Sequence, residues 1–179
     1  AGTLAVGVAP DRIDLTGTTP SRSGDCNIYT ITSQDEQLNA ANAVTAIVAN
    51  LADNSGTGQF YAAADTTCAG AAVTSATIAV GTNNITFRYK DNVAEAVQLD
   101  TTDAGAALIG DSLNIVIGPR TLNITGTTPI RASDCSLYTV TSKDAAANTA
   151  NVLSATTVNL TDGTGTGIFY AAADTTCTG

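Results

Sequence analysis

Phe60 to Cys68 reads FYAAADTTC, and Phe169 to Cys177 reads FYAAADTTC again. The two stretches stand 109 residues apart, and the same offset holds on the N-terminal side of each. LTGTTPSRSGDC, ending at Cys26, lies over ITGTTPIRASDC, ending at Cys135. IYTITSQD, ending at Asp35, lies over LYTVTSKD, ending at Asp144. From Leu4–Gly70 against Leu113–Gly179 the alignment has no gap, and about half of its positions are identical. Self-similarity at a fixed period marks tandem structural units. One complete module is therefore expected over residues 9–118. A second, over residues 119–179, stops before its later strands. LAVGV, at 4–8, lies over LNIVI at 113–117, which closes the first copy. Residues 1–8 read as the closing strand of a preceding module or as a linker strand, so the chain looks cut from a longer array.

Within each copy the dominant pattern is alternation, the period of a half-buried strand. In IYTITS, Tyr29 and Ile31 face one way while Ile28, Thr30 and Thr32 face the other. In VTAIVANL, Thr45, Ile47, Ala49 and Leu51 alternate with Val44, Ala46, Val48 and Asn50. NITFRYKD puts Ile85, Phe87 and Tyr89 on one face. LNIVIGP does the same with Leu113, Ile115 and Ile117, and AVQLDTT with Val97 and Leu99. Further strands are expected at Ile13–Thr16, Gln59–Ala63 and Ala76–Val80. Branched Thr and Val side chains suit a pleated surface. Residues 53–58 (DNSGTG) and 162–167 (DGTGTG) are loops of residues that accept unusual dihedrals. GTNN at 81–84 is a hairpin candidate. EQLNAANAV and DAAANTANV, at 36–44 and 144–152, are Ala-rich but interrupted by Asn, and read as loops with at most a helical turn. TTDAGAALIGD at 101–111 is similar.

Seven or eight short strands per period point to an all-β antiparallel sandwich. A parallel β-helix needs a repeat of roughly 20–30 residues, and no such period is present. With 4% aromatic residues, the core is thin and inward Ala and Thr contribute little area. Cysteine offers the staple. Cys26 and Cys68 are 42 residues apart, and Cys135 and Cys177 repeat that separation. A pair recurring once per module most simply closes within it, giving disulfides Cys26–Cys68 and Cys135–Cys177; four buried free thiols are the alternative. Closing such a loop removes unfolded-state entropy worth about 4 kcal/mol. A disulfide in turn places the chain outside the reducing cytosol.

Composition excludes much chemistry. The 179 residues carry sixteen Asp and Glu against seven Lys and Arg, a formal charge of −9, and no His, Trp or Met. Without His there is no His metal ligand or His general base. Nucleic acid is not an expected partner, because phosphate contacts need a basic surface. No apolar run approaches the roughly 20 residues of a membrane helix. Asp35 with Asn39, and Asp144 with Asn148, supply the hard oxygen atoms that Ca²⁺ takes. Their spacing fits an Asx turn onto the chain's own backbone better, so no metal or cofactor is expected. Asp25, Asp65, Asp134 and Asp174 flank the cysteines and read as loop caps. Arg22 and Arg131 share one repeat position and read as salt-bridge partners or loop anchors. Lys90 and Lys143 sit at unlike positions, which argues against a Lys–Asn crosslink. Asn84, Asn123 and Asn159 begin N-x-T triplets, acceptors only where the host glycosylates.

The series LTGTTP…DC, YTITSQD, FYAAADTTC, TIAVGTNNITFRYKD and AVQLD…LNIVIGP resembles the bacterial immunoglobulin-like repeats of large surface and adhesin-type proteins. Cys26, Asp35, Phe60, Tyr61, Cys68, Phe87, Tyr89, Lys90 and Asp91 match that pattern in the first copy. Cys135, Asp144, Phe169, Tyr170 and Cys177 match it in the second. The resemblance implies tandem immunoglobulin-like sandwiches, extracellular or on a bacterial cell surface. It implies modules that extend and space, partnered by neighbouring modules, by copies of the same protein in a fibre, or by a host or prey surface. A non-enzymatic stalk repeat is the function expected. Gly118–Pro119 forms a stiff joint, since proline restricts itself and its predecessor. The alternative is an adhesin module binding carbohydrate or protein through the Gly/Thr loops at 53–58 and 162–167. A surface glycosidase would need a spaced carboxylate pair, which nothing in the sequence predicts. The half module, with about 60 residues, is too small to stand alone. Its completion is expected from another chain, for instance residues 1–8 of a neighbour, or from a longer molecule.

Overall fold

The computed structural model describes residues 8–178. Among them are twelve β-strands and no α-helix. The first sheet runs β1 (Arg12–Gly17), β3 (Asn27–Gln34), β8 (Asn84–Lys90), β5 (Gln59–Ala62) and β6 (Ala72–Val73), all antiparallel. The second runs β2 (Ser21–Arg22), β10 (Asp111–Gly118), β9 (Ala96–Asp103), β4 (Ile47–Asp53) and β7 (Ser75–Ile78). It is antiparallel except where β2 lies parallel to β10. A two-stranded sheet, β11 (Thr121–Gly126) with β12 (Tyr138–Lys143), follows.

The two five-stranded sheets bury one core between them, a sandwich-like arrangement. Alternation selects its members: Tyr29 and Ile31 from β3 and Phe87 and Tyr89 from β8 meet Ala49 and Leu51 from β4 and Val97 and Leu99 from β9. Four rings form its centre. Tyr29 stacks on Phe87 at 5.8 Å, and Phe60 lies 5.7 Å from Phe87 and 5.1 Å from Tyr89. Such offset and edge contacts add to the area buried. Burial pushes the Tyr29 hydroxyl pKa up to about 12. At one edge the sheets touch: the Ile13 amide donates to the Ile109 carbonyl, and the Leu15 amide to Asp111 Oδ2, each within 2.9 Å.

Over residues 9–118 the expected strands are present, with ends shifted by up to three residues. The hairpin at GTNN is not. β7 pairs with β4 in the second sheet, while β8 pairs with β3 and β5 in the first. The connection therefore crosses from one sheet to the other, because the apolar faces of β7 and β8 close the core from opposite sides. The Ala-rich 36–44 stretch holds a turn and no helix, pinned by the bridge Gln34↔Ala40. Of the segment 1–8, only Val8 lies within the described residues, so the closing-strand reading falls outside them.

β11 and β12 reproduce β1 and β3 residue for residue. Gly17 pairs with Tyr29 and Gly126 with Tyr138. Each glycine lies under the tyrosine ring, where a Cβ would come within 2.0 Å and 2.2 Å of ring carbons. The Tyr29 hydroxyl donates to the Thr18 carbonyl at 3.0 Å, and Tyr138 to Thr127 at 3.2 Å. Beyond β12 the turn at Asp144, the bridge Lys143↔Thr149 and the disulfide recur, but the strands do not. Residues 156–162 and 168–171, aligned with β4 and β5, form no strand.

Candidate functional site: the joint between the repeats

β10 ends at Gly118 and β11 begins at Thr121, so only Pro119 and Arg120 separate the repeats. Arg120 turns back onto the first repeat. Its Nη1 donates to Asp25 Oδ1 at 2.7 Å and to the Ser23 carbonyl at 3.1 Å. Asp25 also faces Arg22 Nε at 3.6 Å, which makes it the anion shared by two guanidinium groups. Charge-assisted bonds of this kind are short and directional.

The loop after β12 completes the joint. The Asp144 carboxylate turns it by accepting the Asn148 amide at 2.8 Å and Asn148 Nδ2 at 3.1 Å. That fixed loop aims its next amides at the first repeat. Ala145 N–H donates to Ser23 Oγ at 2.9 Å, and Ala146 N–H to the Asn92 carbonyl at 3.1 Å. In return the Ala94 amide donates to Asp144 Oδ2 at 3.3 Å. Gly24 takes φ +75°, and a Cβ there would lie 2.9 Å from the Ala145 Cβ. Only glycine accepts both conditions comfortably. Asp144 is 3% exposed. Burial pushes its carboxyl up, but the amides of Asn148, Ala94 and Ala146 outweigh that and hold it below the ordinary value.

Beneath the joint lies a group of carboxylates. Tyr89 hydroxyl donates to Asp53 Oδ2 at 2.8 Å and lies 3.4 Å from Asp91 Oδ2. Thr57 Oγ1 reaches Asp91 Oδ2 at 3.0 Å and also Glu95. Burial, with Glu95 and Asp53 nearby, raises the Asp91 pKa above its ordinary value. Burial also pushes Asp53 up, but bonds from Ser55, Tyr89 and Gly58 win and lower it. Among the described residues no three His, Cys, Asp or Glu side chains are set to hold a metal ion. No helix among them is long and apolar enough to cross a membrane.

The cysteines sit apart from the joint. Cys26 is bonded to Cys68 and Cys135 to Cys177, with Cα atoms 5.6 and 5.7 Å apart. Arg88 fastens the first pair by donating through Nε to the Ala63 carbonyl and through Nη1 to the Cys26 carbonyl. Asp35 accepts the Gln37 and Asn39 amides in an Asx turn, and Asp65 accepts those of Thr67 and Gly70. The 53–58 loop folds onto Asp53, which takes the amides of Ser55 and Gly58. Arg131 makes no ion pair among the described residues, and Lys143 Nζ donates to the Ala147 carbonyl.

Sequence reading missed Arg120, Ser23, Asn92 and Ala145. One signal was available. Arg120 stands where the first copy has Asp11, and Ala145 and Ala146 where it has Glu36 and Gln37. These departures between otherwise similar copies fall at the joint.

No protein-family model and no curated protein matches the chain. Among solved structures it is similar to a glycosyl hydrolase family 2 member from Bacteroides cellulosilyticus, at 15% identity and a TM-score of 0.45 over 65% of this chain. A second such structure, from strain DSM 14838, gives 15% identity and a TM-score of 0.44 over 64% of this chain. Domains 4-9 of surface layer protein SbsC give 10% and 0.37 over 81% of this chain. The chain spans 15%, 16% and 22% of the length of those three chains.

Proposed function

We propose that the chain is a non-enzymatic structural repeat of a bacterial cell-surface fibre or adhesin stalk, built from tandem immunoglobulin-like sandwiches. In this reading residues 9–118 are one complete module and residues 119–179 belong to the next. The observation that carries it is the joint. A two-residue link is flanked by hydrogen bonds from Arg120, Ala145 and Ala146 onto Ser23, Asp25 and Asn92. Several short bonds on different sides of a linker resist bending where one bond does not. A spacer needs that stiffness. A disulfide in each repeat suits an oxidising, extracellular setting, and a charge of −9 keeps such a rod dispersed.

The binding-module alternative draws less support. The 53–58 loop spends its amides on Asp53, and Asp162 does the same for Thr164, Gly165 and Gly167. Loops so occupied offer few free donors to a ligand. Residual dipolar couplings measured across both repeats test the spacer. One alignment tensor should fit residues 12–118 and 121–148 together, and Arg120→Ala should split it in two. Independent tensors in the unaltered chain would refute a stiff joint, and a glycan array that captured the chain would favour the alternative.

A further inference from the structure

The two repeats build the same head from different side chains. In each, the residue after a proline pairs back onto the end of a strand. The Asp11 amide donates to the Gln34 carbonyl at 2.8 Å, and the Arg120 amide to the Lys143 carbonyl at 2.8 Å. In each, an aspartate turns the loop that follows. The Asn39 amide donates to Asp35 Oδ1 at 2.9 Å, and the Asn148 amide to Asp144 Oδ1 at 2.8 Å. Leu38 and Ala147 take φ +67° and +68° in those turns. The two backbones therefore match, and equivalent side chains leave them in the same direction. Their charges do not match. Where the second repeat has Arg120 and Ala145, the first has Asp11 and Glu36, both exposed.

We infer that the joint is selective: the tail of the first repeat, formed by Arg22, Ser23, Gly24 and Asp25, admits the head of the second repeat and refuses the head of the first. This rests on the stiff-joint reading and adds which repeat can follow which. Arg120 Nη1 and Ala145 Cβ lie 3.4 Å and 2.9 Å from the point that a Gly24 Cβ would occupy. Both head positions thus look onto one spot of the tail, beside Asp25. An aspartate and a glutamate there would gather three carboxylates, and like charges brought together reject a partner that opposite charges accept. The bonds from Arg120 to Asp25 and to the Ser23 carbonyl would be lost as well. The tail of the second repeat keeps the same sign. Its Asp134 amide donates to the Arg131 carbonyl at 3.1 Å, as that of Asp25 does to Arg22. The head of the first repeat accordingly fits neither tail of this chain. It fits a repeat that carries lysine or arginine in the place of Asp25, with Asp11 and Glu36 as the anions of the joint.

Residual dipolar couplings of the full chain test this, together with amide exchange at Ala94. That amide donates to Asp144 across the joint, and its neighbours in sequence stay unaltered. Arg120→Asp with Ala145→Glu transplants the first head onto the second repeat. It should split the single alignment tensor in two and speed Ala94 exchange about tenfold. Asp25→Arg alone should do the same, because three guanidinium groups then converge. All three substitutions together should restore one tensor and slow the exchange again. Two changes that each open the joint and jointly close it act through charge, and not through damage to either repeat. One tensor in the transplanted variant, or two in the combined one, would overturn the selectivity and leave the stiff joint standing. Two tensors in the unaltered chain would remove the stiff joint and the selectivity together.

Discussion

Tyr29 is 1% exposed and Tyr138 is 44%; Phe60 is 7% exposed and Phe169 is 47%. These are equivalent residues in near-identical sequence, so the difference belongs to their surroundings. The β1–β3 pair recurs as β11–β12 because its determinants are local: alternation, a glycine under a tyrosine ring, and a hydroxyl bond eleven residues back. The β4 and β5 strands do not recur at 156–162 and 168–171. They need β9 and β8 as ladder partners, and none of the described residues after Gly118 takes those places. Local sequence specifies some strands; others exist only when a neighbour supplies the other half of the hydrogen bonds.

The largest expected contrast is in the cores. Phe60→Ala should cost the first repeat about 3–5 kcal/mol, since it strips a ring from a packed cluster. Phe169→Ala should move that same unfolding transition by less than about 0.5 kcal/mol. Denaturant titration followed by circular dichroism measures both, and equal costs would break the comparison. Next come the staples. Replacing Cys26 and Cys68 together by alanine should cost about 2–4 kcal/mol. Replacing Cys135 and Cys177 should leave the first repeat's midpoint in place, because that disulfide closes no part of its core.

The smallest contrast is electrostatic. Burial, with Glu95 and Asp53 beside it, raises Asp91 above its ordinary 3.8. The folded state therefore holds that proton more tightly than the unfolded chain. Its contribution is fully present below pH 3.8 and is lost as pH rises through the raised value. Asp53, lowered despite burial, acts in the opposite sense, stabilising above 3.8 and losing that as pH falls. Asp91→Asn should raise first-repeat stability at pH 7 and remove the decline above pH 3.8, leaving the acid-side loss. Thermal melts from pH 3 to 7 give the curve. A variant less stable than wild type at pH 7 would show that the Asp91 charge is wanted.

Much of this was legible in the residues. The 109-residue period matched the β1–β3 pair to β11–β12, and alternation placed Tyr29, Phe87, Tyr89, Val97 and Leu99 in the core. The 42-residue spacing singled out the pairs that the structure joins. Two-residue strands such as β2 and β6 carry no period, and so left no trace. The GTNN connection looked like a hairpin because turn chemistry reports a reversal and not which sheet each arm enters. Alternation in NITFRYKD sets Arg88 on the face opposite Phe87 and Tyr89. Its long stem lets the guanidinium fold back onto the Ala63 and Cys26 carbonyls. The joint was the hardest to see. It is made of backbone amides and one ion pair, which depend on how two repeats meet.

Amide hydrogen exchange at Ala145 and Ala146, against their counterparts Glu36 and Gln37, tests the account most directly. Ala145 and Ala146 donate across the joint to Ser23 Oγ and the Asn92 carbonyl. They should be protected beyond Glu36 and beyond Gln37, whose amide meets only Asp35 of its own turn among the described residues. Equal, rapid exchange at all four would mean that the repeats swing freely, contradicting a stiff joint.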